Sequence, residues 1–164
     1  MTSRMHTTPE PFASAEWHTR LGLVVPSWNT VMEYEFQRLL PSGTSLHASR
    51  IAHTCDSEPA LLHMLGELEP AAALLAHARV DAICFGCTAS GFVQPDVRLD
   101  ARTADAVSRS LGVPVITTSD SVCSALEHLG ARRIAVASPY EPWLNEHLRR
   151  YLEGRGFTLT SIAG

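Results

Sequence analysis

Cys87 is the residue whose placement speaks most directly to chemistry. It follows an apolar run, Val80 to Phe85, that reads as a strand, and it stands between Gly86 and the hydroxyls of Thr88 and Ser90. A turn of that kind offers free backbone N–H groups and hydroxyl donors, which stabilise a thiolate and lower a thiol pKa. The same donors would hold a carboxylate, and Gly86 would let a substrate approach the backbone closely. The alternative is a buried cysteine at a strand end that only packs. Cys84 completes a C-x-x-C with Cys87, a spacing found in redox pairs and in half of a zinc site. No second close pair accompanies it, Cys55 and Cys123 stand alone, and the eight histidines form no His-Glu-x-x-His pattern. Cys84 is therefore assigned to the core, and neither a metal nor a cofactor is expected.

Other candidates also fall just after apolar runs. Asn29 is either a turn or cap residue beside Thr30, or an amide donor to a substrate carboxylate; spacing leaves both open. Tyr140, after Ser138 and Pro139, is either a half-buried aromatic or a phenol that hydrogen-bonds a carboxylate or a developing oxyanion. Asn145, on the following helical segment, is a weaker candidate of the same kind. Trp28 reads as packing or as a lid. His63, His77, His128 and His147 lie in helical patterns and read as packed or solvated side chains.

The elements that position these residues alternate along the chain. Strands are expected at Leu21–Val25, Ser45–Ala52, Val80–Phe85, Val113–Ile116, Arg133–Ala137 and Phe157–Ile162. Between them lie helical patterns: Val31–Leu40, with a capping box at Thr30-x-x-Glu33; Glu58–Arg79, interrupted at Pro70; a helix after Pro95 with Val97, Ala101, Ala104, Val107 and Leu111 as its stripe; a helix capped by Ser119 or Asp120 with Val122, Ala125, Leu126 and Leu129 inward; and one opened by Pro142 with Leu144, Leu148 and Leu152 inward. Strict alternation with short links implies an α/β fold, a parallel sheet with helices on both faces. Ligands of such sheets bind beyond the carboxyl ends of the strands. Weight therefore falls on Pro26–Thr30, Gly86–Ser90, Thr117–Asp120 and Ser138–Tyr140. None of these loops carries a lysine, and neither a dinucleotide-binding nor a P-loop glycine pattern is present.

Composition narrows the class. The 164 residues are 45% hydrophobic and 18% charged, with a formal charge of −4. That excludes a wholly disordered chain and disfavours nucleic acid as a partner. The longest apolar run, Ala71 to Ala76, is far short of the ~18 residues of a membrane span. Residues 1–19 have no apolar signal region and read as a disordered tail, so reduced thiols in the cytoplasm are expected.

Together Val25-Pro-Ser-Trp-Asn-Thr-Val-Met-Glu33, Cys84-Phe-Gly-Cys-Thr-Ala-Ser90, Thr117-Thr118 and Gly130-Ala-Arg-Arg-Ile-Ala-Val-Ala-Ser-Pro-Tyr140 resemble maleate cis-trans isomerases, which belong with aspartate/glutamate racemases and arylmalonate decarboxylases. The resemblance runs from about Arg20 to the C-terminus. It implies a flavodoxin-like, racemase-type first domain over 20–131 and the start of a similar second domain over 132–164. It implies cofactor-independent catalysis with two cysteines, one per domain, acting on a small dicarboxylate. Cys87 matches the first cysteine, the nucleophile that adds to the double bond of maleate. Asn29, Thr88, Tyr140 and Asn145 match groups that hold carboxylates, with the Ser90 hydroxyl joining them in the same turn. A homodimer is expected from the family alone. The sequence departs from the family in length: the loop that would bear the second cysteine is not in it, Cys123 lies in a helical pattern, and Trp28 is bulkier than the small residue expected there. An incomplete second domain would expose Val136, Leu144, Leu148 and Leu159. Three readings follow: a thiol-dependent cis-trans isomerase, a racemase-type proton-transfer enzyme, or a non-catalytic remnant.

Overall fold

The computed structural model describes residues 18–164. In chain order these form β1 (Thr19–Pro26), α1 (Met32–Leu39), β2 (Thr44–Ile51), α2 (Glu58–Gly66), α3 (Leu68–His77), β3 (Ala82–Phe85), α4 (Thr88–Phe92), α5 (Leu99–Leu111), β4 (Val115–Thr117), α6 (Thr118–His128), β5 (Arg133–Ala137), α7 (Pro142–Gly154) and β6 (Thr158–Ala163). All six expected strands are present. Residues 1–17 of the expected tail lie outside the described range. Thr19 already belongs to β1, where His18 and Thr19 both donate to Gly43 O.

Four strands make one parallel sheet in the order β2-β1-β3-β4, and β5 pairs with β6, also in parallel, in a second sheet. Alternation along β1 divides the first sheet's two faces. Leu23 and Val25, with Cys84 of β3, pack against Met32 and Phe36 of α1. Val24, Ile83 and Phe85 point the other way, into a cluster built with α2, α3 and α5. Helices thus cover both faces of the sheet, as buried parallel strands require.

Several local expectations are corrected. The break in the long helical pattern falls at Glu67, the residue between α2 and α3, and not at Pro70. Pro70 is the third residue of α3, where its missing N–H costs no helical bond. Pro95 does not open a helix; α5 begins at Leu99. The short helix α4 directly after Cys87 has no counterpart in the expected elements. Helix α6 is capped by Thr117, whose hydroxyl accepts from Asp120 N at 3.2 Å, rather than by Ser119 or Asp120. Its face is also rotated from expectation: Ser119 and Cys123 are buried, whereas Val122 and Leu129 are exposed. The cause is Asp100 on α5, which has no exposure and accepts from Ser119 Oγ at 2.7 Å and Thr117 Oγ1 at 3.0 Å. A buried carboxylate needs such donors, and of the expected leucine face only Leu126 packs against the core.

Leu144 and Leu148 are not exposed. With Tyr151 and Leu152 they bury α7 in the same cluster that backs the first sheet. Phe92 of α4 meets Tyr140 and Tyr151 at ring-centroid distances of 5.5 and 6.3 Å, which joins the two sheets' layers. Val136 and Leu159 are half-buried against that cluster.

Candidate active site

Parallel strands end on one side, so the loops after β1, β2, β3, β4 and β5 can converge there. They enclose an open cavity of about 400 Å³ lined by Asn29, Cys87, Thr88, Thr118 and Tyr140, together with Trp28, His53 and Asp56. Of the six residues singled out in the sequence, four line it: Cys87, Asn29, Thr88 and Tyr140. Ser90 and Asn145 stand behind.

Cys87 is extended (φ −133°, ψ 105°) and precedes α4, so the first free amides of that helix turn back toward its thiol. Burial pushes the Cys87 thiol above its ordinary pKa. Donation from the Ser90 hydroxyl and from the amides of Ser90 and Ala89 works in the opposite direction, and the Asp56 charge adds to the rise. The expected depression is thus corrected: the donors are present, but desolvation outweighs them. Ser90 has no exposure, and its hydroxyl also lies 3.4 Å from Cys87 O. It supports the thiol turn and does not reach the cavity.

Gly86 lines the cavity and has a packing reason besides the one expected. A Cβ there would come within 2.5 Å of Met32 Sδ, so the missing side chain makes room for α1's methionine.

Asn29 takes the capping role its position allowed, and it lines the cavity. Its Oδ1 accepts from Val31 N and Met32 N, each at 3.0 Å, and so starts α1. The Thr30–Glu33 capping box does not form; Glu33 pairs with Arg50 instead. With Oδ1 engaged inside the protein, Nδ2 remains as the donor at the cavity wall. Arg50, at the end of β2, donates to Ser27 O and Asn29 O, both at 3.0 Å, and fixes the loop that carries this amide.

Tyr140 packs edge-on against Phe92. Burial raises its phenol pKa, the nearby Cys87 and Asp56 act the same way, and a hydrogen bond with Thr88 opposes them. Asn145 shapes the turn beneath it: Ser138 Oγ donates to Asn145 Oδ1 at 2.6 Å, and Asn145 Nδ2 donates to Tyr140 O at 3.0 Å. Asn145 thus fixes the backbone of Tyr140 and is absent from the cavity lining.

Three polar lining residues were not singled out in the sequence. Thr118 lay in a loop of interest; its hydroxyl donates to Phe85 O at 2.8 Å. His53 and Asp56 follow β2, the strand end given no weight. Applying the strand-end rule to all strands would have found them. His53 is buried, edge-on to Trp28 with centroids 4.4 Å apart, and its Nε2 lies 3.1 Å from Asp56 Oδ1. Trp28 is half exposed at the rim.

Cys84 is buried on the α1 face, as the core assignment had it. Burial raises its pKa to about 11 against a hydrogen bond from Thr118. All four cysteines are free. Among the described residues no three His, Cys, Asp or Glu side chains converge on a metal-sized site, and no helix is long and apolar enough to cross a membrane.

Residues 21–164, which carry this thiol site, match the sequence profile of arylmalonate decarboxylase. The chain belongs to the arylmalonate decarboxylase family. Within it, the chain is 31% identical over 152 residues to the maleate isomerase of Pseudomonas putida, covering 84% of this chain and 60% of that protein. It is 28% identical over 155 residues to the maleate isomerase of Geobacillus stearothermophilus, covering 87% and 62%. Among solved structures, a cysteine-to-serine variant of Nocardia farcinica maleate cis-trans isomerase, with a covalently bound succinylcysteine intermediate, superposes with a TM-score of 0.79 at 28% identity, over 88% of this chain and 63% of that one. The chain therefore spans about 60% of the length of the curated relatives it matches. The resemblance to maleate isomerases and the α/β fold expected from sequence both hold.

Proposed function

We propose that Cys87 is the nucleophile of a cofactor-independent cis-trans isomerisation of a small unsaturated dicarboxylate of the maleate type. The observation that carries this reading is the meeting of one thiol with the Asn29 amide, the Thr88 hydroxyl and the Tyr140 phenol in one cavity. The succinylcysteine of the Nocardia relative shows that a family member's cysteine bonds to a four-carbon acid.

In this scheme the thiol first gives up its proton to water. The thiolate then forms a C–S bond to one olefinic carbon, and the π electrons move onto the neighbouring carboxylate. The former double bond is now single and rotates. The electron pair returns, the trans double bond forms and the thiolate leaves, so no atom or electron is gained overall. Asn29, Thr88 and Tyr140 donate to the carboxylate whose charge grows, and fixed donors at such a position stabilise the transition state. The amides at the start of α4 and the Ser90 hydroxyl stabilise the thiolate. Asn145 and Arg50 act as positioning residues. A working thiolate fits a reducing compartment, which supports a cytoplasmic reading. A first domain ending at 131 and a second beginning at 132 belong to the same reading.

Proton NMR of maleate incubated with the protein should show fumarate forming, and Cys87→Ser should reduce this to background. Full turnover by Cys87→Ser would overturn the reading. The family match favours one alternative, thiol-based proton transfer at a carbon next to a carboxylate. It predicts solvent deuterium at that carbon of an acid substrate without isomerisation.

A further inference from the structure

The cavity holds a charge that a dicarboxylate site has no use for. Asp56 lines it, and none of the described residues lining it is a lysine or an arginine. Arg50, behind the Asn29 loop, is committed to Glu33 and to two carbonyls. The partner of Asp56 is His53 Nε2 at 3.1 Å. His53 Nδ1 is buried and has no partner. A ring with its only N–H on Nε2 leaves a bare lone pair at Nδ1, which costs less than an orphaned N–H on a charged ring. In that tautomer the imidazole gives Asp56 one hydrogen bond and no counter-charge. A thiolate, two substrate carboxylates and Asp56, whose side chain is 58% exposed at the rim, would thus meet at a cavity of about 400 Å³ with no lysine or arginine among its described lining residues. Like charges in a half-open site oppose one another strongly enough to decide which ligand is kept.

Resting on the reading of Cys87 and its donors as an acid-binding site, we infer that Asp56 selects a monoanionic ligand: a cis-unsaturated acid whose carboxylate meets Asn29, Thr88 and Tyr140, and whose other end is a carboxamide donating N–H to Asp56. The amide removes one negative charge and gives Asp56 a donor. It is also the better electron-withdrawing group for addition of the thiolate.

Protection of Cys87 from iodoacetamide, followed by peptide mass spectrometry, tests this with maleate and its monoamide, maleamate, as a nearly isosteric pair. The native chain should be half-protected at a maleamate concentration about tenfold below that of maleate. Asp56→Asn should abolish the preference, mainly by improving maleate, and Asp56→Glu should keep it. A preference for maleate in the native chain, or a ratio unmoved by Asp56→Asn while both ligands still protect, overturns the inference and leaves the acid-binding reading intact. Absence of protection by either ligand, in the native chain and in Asp56→Asn alike, overturns that reading and this inference with it.

Discussion

The two ends of the Asn29 side chain do different work, and one substitution separates them. Oδ1 starts α1 through two backbone amides, while Nδ2 is left for the cavity. Aspartate caps a helix as well as asparagine does, but it cannot donate and it adds a charge. Asn29→Asp should therefore unfold in urea within about 0.5 kcal/mol of the parent, yet lose ligand protection of Cys87. Asn29→Ala should cost about 1 kcal/mol of stability as well as the ligand. Position in the sequence made Asn29, Cys87, Thr88 and Tyr140 legible, because each follows an apolar run. The thiol's ionisation was not legible. Donors can be counted in a sequence, but the desolvation that overrides them arises only when distant segments close over the sulfur.

Helix α4 is the element that most needs its neighbours. Gly91 faces Ser119 so closely that a Cβ would overlap the hydroxyl and press on its β-carbon and on Asp100. Gly91→Ala must displace the group that satisfies a buried carboxylate, and overpacking of this kind costs about 1–3 kcal/mol. Gly66, at the end of α2, meets nothing within 4 Å, so Gly66→Ala should gain up to about 1 kcal/mol by reducing unfolded-chain freedom. Urea denaturation of the two variants measures this contrast in sign. Helix periodicity located α5 and α7, whose apolar stripes are buried. It failed in part at α6: Leu126 packs against the core as read, but Val122 and Leu129 are exposed, while Ser119 turns inward to the buried Asp100. A carboxylate in a helical pattern is taken as solvated by default, so this rotation could not be read from spacing.

Across the molecule, strand alternation was enough to give the parallel sheet, since runs of buried apolar residues separated by helices leave few other arrangements. How β5, α7 and β6 join the rest was less visible, because it depends on side chains that are seldom buried. Arg155 is one of these: its side chain is 4% exposed, it donates to the Tyr151 hydroxyl at 3.2 Å, and it pairs with Asp120 of α6 at 2.6 Å. Asp120→Ala would leave that guanidinium buried without its counter-charge. It should cost roughly 2–3 kcal/mol in thermal or urea unfolding. Alkali should weaken the fold by another route. The Cys84 thiol rises from an ordinary 9.0 to about 11 through burial, so it keeps its proton in the folded protein after the unfolded chain has lost it. Its contribution is complete below pH 9 and is lost as pH rises toward 11, about 2–3 kcal/mol in all. Cys84→Ala should flatten the fall in urea midpoint between pH 8 and 11 by that amount. The cavity's construction from five separate strand ends has one more consequence. Thiol, amide, phenol and carboxylate each sit on a different turn, so a lineage can exchange one of them while the backbones holding the others stay in place. Paired substitutions among them should fail to add in rate or ligand preference by more than they fail to add in stability, which makes the chemistry easier to change than the scaffold.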